Sequence, residues 1–120
     1  MGEYQDRLVA TKQHYPFKGW EESGLEQYTI TVTAAFTAIF DKLILELSVM
    51  GETAPEEQKL NAFKTVVMAT NELNEEDESI IETGEREDLC GLCNIIARAA
   101  GMDTEKYGGG EGPATMWRDW

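Results

Sequence analysis

Leu25, Tyr28, Val32, Ala35, Phe36, Ile39, Phe40, Leu43 and Leu47 recur at steps of three and four residues, the spacing that gathers side chains on one face of a helix. The pattern predicts a dominant helix from Ser23 or Gly24 to Met50. Its ambiguous stretch is YTITVT, Tyr28 to Thr33, which alternates and is rich in β-branched residues, as strands are. The helical rhythm runs through it into Ala34 and Ala35, so helix is the expectation. Ile30, Ile44, Leu45 and Val49 lie off the main face, which predicts a central helix covered on more than one side.

The flanking segments read the same way. Glu3 to His14 predicts a short helix with Tyr4, Leu8 and Val9 inward, stopped where Tyr15 precedes Pro16, because the residue before a proline is pushed out of the helical region. Phe17 and Trp20 are expected in the following loop as lids on the core, with Gly19 letting the chain turn. Gly51 and Pro55 mark the end of one helix and the start of the next. Glu56 and Glu57 suit the positive N-terminus of the latter. Its stripe is Leu60, Phe63, Val66 or Val67, Thr70 and Leu73, with an end near Leu73 or Asn74. Ser79 to Glu82 has the form of a capping box, and Thr83 competes with Ser79 as N-cap. Thr83 is favoured, leaving Ile80 and Ile81 as anchors ahead of a helix striped by Leu89, Leu92, Cys93, Ile96 and Ala100. Gly101 is expected to close that helix in a left-handed turn, with Met102 packed behind it. The last stretch, DTEKYGGGEGPATMWRDW, reads as a flexible glycine run followed by a short turn from Pro113, docked by Trp117 and Trp120, or as an unstructured tail.

A chain of 120 residues suits one domain with one core. The expectation is therefore an all-α, single-domain bundle of about four helices around a long central one. Residues 1–107 form an acidic helical domain and residues 108–120 a glycine-rich C-terminal extension.

Charge changes the picture. The net charge is −13, distributed as −3 over residues 1–50, −9 over 51–90 and −1 over 91–120. Such a field repels nucleic acid and anionic lipid and speeds encounter with basic surfaces. Apolar runs such as Ala34 to Phe40 are broken by Thr37, Asp41 and Lys42, short of the ~20 residues that a membrane span requires. The first twenty residues mix charged with apolar positions and lack the apolar core of a signal peptide. Two cysteines make no disulfide framework, and a cytoplasmic location is the expectation. Density peaks between residues 71 and 88, where Glu72, Glu75, Glu76, Asp77, Glu78, Glu82, Glu85, Glu87 and Asp88 face only Arg86. The plain reading is a solvated loop and helix entry. The sharper one is a docking surface for a basic protein, formed by Glu72, Glu75, Glu76, Asp77, Glu78 and Glu82, with Trp117 or Trp120 as anchors, since interface energy concentrates in residues such as Trp, Tyr and Arg.

Candidate chemistry is sparse. Cys90 and Cys93 have the Cys-x-x-Cys spacing, but a redox pair places its first thiol at a helix N-terminus. Here Cys90 follows Glu85, Arg86, Glu87, Asp88 and Leu89, about two turns inside the expected helix and beside acids that raise a thiol pKa. A zinc site needs about four ligands, and His14 is the one other nitrogen or sulfur donor of the usual kind. Packing is the expected role of both cysteines. His14, at the end of a helix, fits a C-terminal dipole partner rather than a catalytic base. Residues 74–82 lack the ligand spacing and central glycine of a calcium loop, and GGGEG lacks the Gly-Lys-Ser/Thr ending of a phosphate loop. No catalytic residue, metal ligand set or cofactor is expected.

The run LNEEDESIIETGEREDLCGLCNIIARAAG with a terminal MWRDW resembles small bacterial proteins in which an IET-x-EREDLC segment leads into a helix ending in AAG. Some of these are similar to immunity proteins that neutralise a toxin of contact-dependent or type VI systems. It covers about a quarter of the chain. The resemblance implies a non-catalytic inhibitor of a cognate toxin and carries no site residues with it. The alternatives are a thiol redox or metal-binding protein using Cys90 and Cys93, and a structural adaptor that self-associates through its tail.

Overall fold

The structure, a computed structural model, describes residues 2–23, 26–76 and 81–120, the Glu76 side chain excepted. Within them the chain is helical, with no strand. Helix α1 spans Glu3–Ala10, α2 Phe17–Glu22, α3 Ile30–Met50, α4 Glu56–Glu76 and α5 Thr83–Ala99. Short 3-10 turns follow α1 at Thr11–His14 and build the C-terminal segment at Thr104–Lys106, Gly108–Gly110 and Pro113–Met116. Helices α1, α2 and α4 pack on α3, and the Pro113–Met116 turn bridges α4 and α5. This is the all-α single-domain bundle that the hydrophobic rhythm predicts.

The central helix starts later than its rhythm suggests. Thr29 is extended (φ −75°, ψ 166°) and its Oγ1 accepts the Val32 N–H at 3.2 Å, so the chain acquires an N-cap in mid-pattern. Tyr28 thereby leaves the helix and buries its ring against Trp20, with centroids 5.0 Å apart. The expected start at Gly24 and the inward Leu25 lie outside the described residues. Phe36, Phe40, Leu43, Ile44 and Leu47 are buried along α3 as expected. Three of the four off-face positions are not: Ile30, Leu45 and Val49 are 77%, 62% and 79% exposed. The neighbours of α3 cover one side and leave this strip to solvent.

Phe17 and Trp20 sit on a helix instead of a loop. Pro16 supplies the carbonyl that accepts the Trp20 N–H at 3.1 Å, and the three-residue step between Phe17 and Trp20 puts both rings on the buried face. Gly19 lies inside this helix. At α1, Tyr4 and Leu8 are buried, whereas Val9 is 44% exposed.

Helix α4 follows Pro55, whose carbonyl accepts the Lys59 N–H at 3.3 Å, and continues to Glu76, past the expected end near Leu73. Of the two anchors expected ahead of α5, Ile81 is buried and donates its N–H to Asn74 Oδ1 at 2.9 Å; Ile80 lies outside the described residues, as does Ser79 of the expected capping box. Glu82, not Thr83, occupies the N-cap position of α5, and its carbonyl accepts the Arg86 N–H at 2.8 Å. The other end closes as the sequence predicts. Gly101 takes φ 83°, its N–H reaches Arg98 O at 3.0 Å, and Met102 N–H reaches Ala97 O at 2.9 Å, the paired bonds of a Schellman cap.

Candidate functional site

The acidic candidates divide between two helix ends. Glu72 and Glu75 are exposed on the last turns of α4, and Glu82 is exposed just ahead of α5. Glu76 is helical; its side chain, and all of Asp77 and Glu78, lie outside the described residues. Glu82 and Glu85 stand where the positive end of a helix favours them. Glu75 and Glu76 stand at the opposite pole, where α4 presents its carbonyls and its last turn holds no base. Among the described residues the ion pairs are Arg7–Glu52 at 2.9 Å, Lys12–Asp41 at 3.4 Å and Lys42–Glu46 at 3.9 Å. None of them neutralises a carboxylate of residues 72–88. Members of that segment also do structural work: Asp88 accepts the Trp20 Nε1–H at 2.9 Å, tying α2 to α5, and Glu82 accepts from Gln27 Nε2 at 3.2 Å.

Trp117 and Trp120 are half-buried against the chain's own core. Asn71, 4% exposed on α4, donates Nδ2–H to Trp117 O at 2.9 Å and accepts Asp119 N–H at 3.0 Å. Trp120 Nε1–H donates to Thr70 Oγ1 at 3.2 Å. One buried amide thus clamps the C-terminal segment one turn before Glu75. The glycine run is a tightly packed corner: a Cβ on Gly108 (φ 58°) would overlap Thr115 Oγ1, and one on Gly112 (φ 111°) would overlap Asn94 Oδ1.

The cysteines occupy the third turn of α5 and its neighbour. Cys93 is 2% exposed, and burial pushes its thiol well above the ordinary value of 9.0. Burial also raises Cys90, against a downward pull from Arg118 and Arg86. Raised thiols stay protonated at neutral pH, opposite to what an attacking thiol requires. His14 is exposed at the end of the turn after α1. Among the described residues no three His, Cys, Asp or Glu side chains gather as metal ligands, and no helix is long and apolar enough to cross a membrane.

Burial likewise raises Tyr15, helped by its hydrogen bond to Asp41 at 2.9 Å, and Tyr28, helped by the Glu85 charge. A group raised by folding lends stability that is full below its unfolded pKa and is lost as pH rises. Unfolding free energy should therefore hold level to about pH 8 as far as these groups act. Above about pH 8.5 it should fall by ~1.4 kcal/mol per pH unit for Cys93 alone, and more steeply above ~10 as Tyr15 and Tyr28 ionise in the unfolded chain. Urea midpoints of wild type and Cys93→Ala across pH 7–10 test this. An identical slope in both proteins would remove Cys93 from the account.

A feature that the sequence did not reveal is a cleft of about 500 Å³ between α5 and the C-terminal segment, lined by Arg86, Cys90, Asn94, Glu111, Thr115 and Arg118. Its residues come from positions far apart in the chain, joined because Asn94 Nδ2–H holds Glu111 O at 3.0 Å. The one sequence signal was Arg86 itself, a lone base inside an acidic run.

Comparison with family models, with curated proteins and with solved structures finds no match to this chain.

Proposed function

We propose that this protein is a non-catalytic, cytoplasmic binding protein of the immunity type, an inhibitor that seats the acidic ends of α4 and α5 on the basic substrate cleft of a toxin. The observation that carries the reading is the set of exposed carboxylates, Glu72, Glu75 and Glu82 among them, that no ion pair within the described residues neutralises. Carboxylates gathered at the negative end of α4 repel one another and the helix carbonyls, and a cationic partner relieves both repulsions. A nuclease fits this charge best, since its cleft must attract phosphates. The thiols of half-buried Cys90 and buried Cys93, both raised by burial, count against the redox alternative.

The test compares wild type with the triple variant E72K/E75K/E82K. Each is used to capture proteins from the source organism's lysate at low and high salt, and what is captured is identified by mass spectrometry. The expected partner is basic, released by salt, arrests growth when expressed alone and is silenced by co-expression of this chain. Reversing three charges should slow association about tenfold or more, because complementary charge acts chiefly on encounter. An association rate unchanged in the variant would remove this surface as the docking site.

A further inference from the structure

The geometry points to a second site, in the cleft between α5 and the C-terminal segment, that binds a small oxyanion carrying its own proton, of which monohydrogen phosphate is the simplest. Among the described residues, three buried side-chain polar atoms find no hydrogen-bond partner: Arg86 Nε, Asn94 Oδ1 and Arg118 Nε. All three belong to residues that line this one cleft. Buried polar atoms are nearly always satisfied, so the coincidence marks a place where something from outside completes the bonds. Among the described residues neither arginine is in an ion pair with an Asp or Glu, although acids outnumber Lys and Arg by 23 to 10 in the chain.

The unmet groups specify the ligand. Two guanidinium Nε–H donors call for two acceptor oxygens and about two negative charges. Asn94 Oδ1 calls for a donor. Its orientation is set, because the amide nitrogen is already committed to Glu111 O at 3.0 Å. Monohydrogen phosphate supplies acceptor oxygens, a double charge and one O–H. Sulfate has the charge without the proton, and a carboxylate has neither the second charge nor the proton. Arg118 is held in place from its far side, donating Nη1–H to Trp120 O and lying 5.7 Å from the Trp120 ring centroid. Among the described residues Arg86 makes one long bond, to Thr83 Oγ1 at 3.5 Å. Glu87 and Glu111 also line the cleft, but both are exposed, where solvent and salt weaken their repulsion; the guanidinium Nε atoms are buried. The volume, about 500 Å³, is within the range of small-ligand sites.

The experiment is a titration of the full-length protein with inorganic phosphate, and separately with sulfate at matched ionic strength and pH 7.5, following the arginine Nε–H resonances by NMR. Saturable shifts at Arg86 and Arg118 are expected, with sulfate at least about tenfold weaker, since it leaves Asn94 Oδ1 facing another acceptor. R86Q and R118Q should each weaken phosphate about tenfold or more, and R98Q, exposed in the last turn of α5 and outside the cleft, should not. If R118Q unfolds through loss of its hold on Trp120, R86Q and the phosphate-to-sulfate ratio in wild type decide the matter. No saturable shift, equal affinity for the two anions, or unchanged binding in R86Q would each overturn the assignment.

Discussion

Phe36→Ala is expected to lower the unfolding free energy by about 4 kcal/mol, the middle of the range for a buried phenylalanine. Phe36 is fully buried and its ring is shared among elements. It stacks on Phe17 with centroids 5.7 Å apart and planes at 15°, and meets Trp20 edge-on at 5.2 Å and 87°. Phe17 also touches Phe40, at 5.7 Å, and Trp20 touches Tyr28, at 5.0 Å. These rings are the means by which the six-residue α2 is held on α3. The rings bordering the vacated space are fixed by other contacts, and Trp20 is tied to Asp88 at 2.9 Å as well. The cavity therefore has little freedom to collapse, and cost rises with the volume left open. Urea denaturation should show a lower midpoint with an unchanged slope, and the melting temperature should fall by about 15 °C. A loss under about 1.5 kcal/mol, the range of well-repacked substitutions, would mean that α2 closes onto α3 without the ring.

What the sequence reveals and what it hides separate by the range of the interaction. The rhythm through Phe36, Phe40, Leu43 and Leu47 is a one-dimensional signal, as are Pro55 ahead of α4 and the Gly101–Met102 close of α5, and all three appear in the fold. Helix α2 is too short for a period to show, and Gly19 argues against it locally; it exists because the aromatic cluster rewards placing Phe17 and Trp20 on one face. The start of α3 turns on one hydroxyl, Thr29 Oγ1, that outweighs a continuous hydrophobic pattern. The density of acids is legible by counting, but its distribution between the favourable pole of α5 and the unfavourable pole of α4 depends on where each helix stops. Nothing in the run GGGEG suggests that Gly112 allows Asn94 to reach Glu111 O, or that Arg86 and Arg118 should share a cleft. That juxtaposition depends on Asn71, whose amide clamp on the last residues has no local signature.

Lys59 is the other residue whose role no pattern announces, and Lys59→Met is expected to destabilise the fold by about 2 kcal/mol. It is 5% exposed, rare for a lysine, and no carboxylate pairs with it among the described residues. Its Nζ donates to Glu52 O at 2.7 Å, just past the end of α3, and to Ala100 O at 2.8 Å, at the end of α5. The Tyr4 ring centroid lies 5.5 Å away, giving the third N–H an aromatic face. Arg7 works beside it, donating Nε–H to Ala99 O at 2.9 Å. Two helix C-termini, each with unpaired carbonyls and partial negative charge, are thus brought together and neutralised by cations from α1 and α4. Methionine would keep the length of the stem and remove the cost of burying an ammonium, but it leaves Ala100 O and Glu52 O without that donor, at about 1–3 kcal/mol for each group that water cannot reach. The local consequence should exceed the global one: amide exchange at Gly101 and Met102, whose N–H groups close α5 on Arg98 O and Ala97 O, should quicken before the rest of the chain opens. A variant as stable as wild type would show that the desolvation of the ammonium cancels its bonds. Unchanged exchange at Gly101 and Met102 would show that the Schellman cap holds α5 without Lys59.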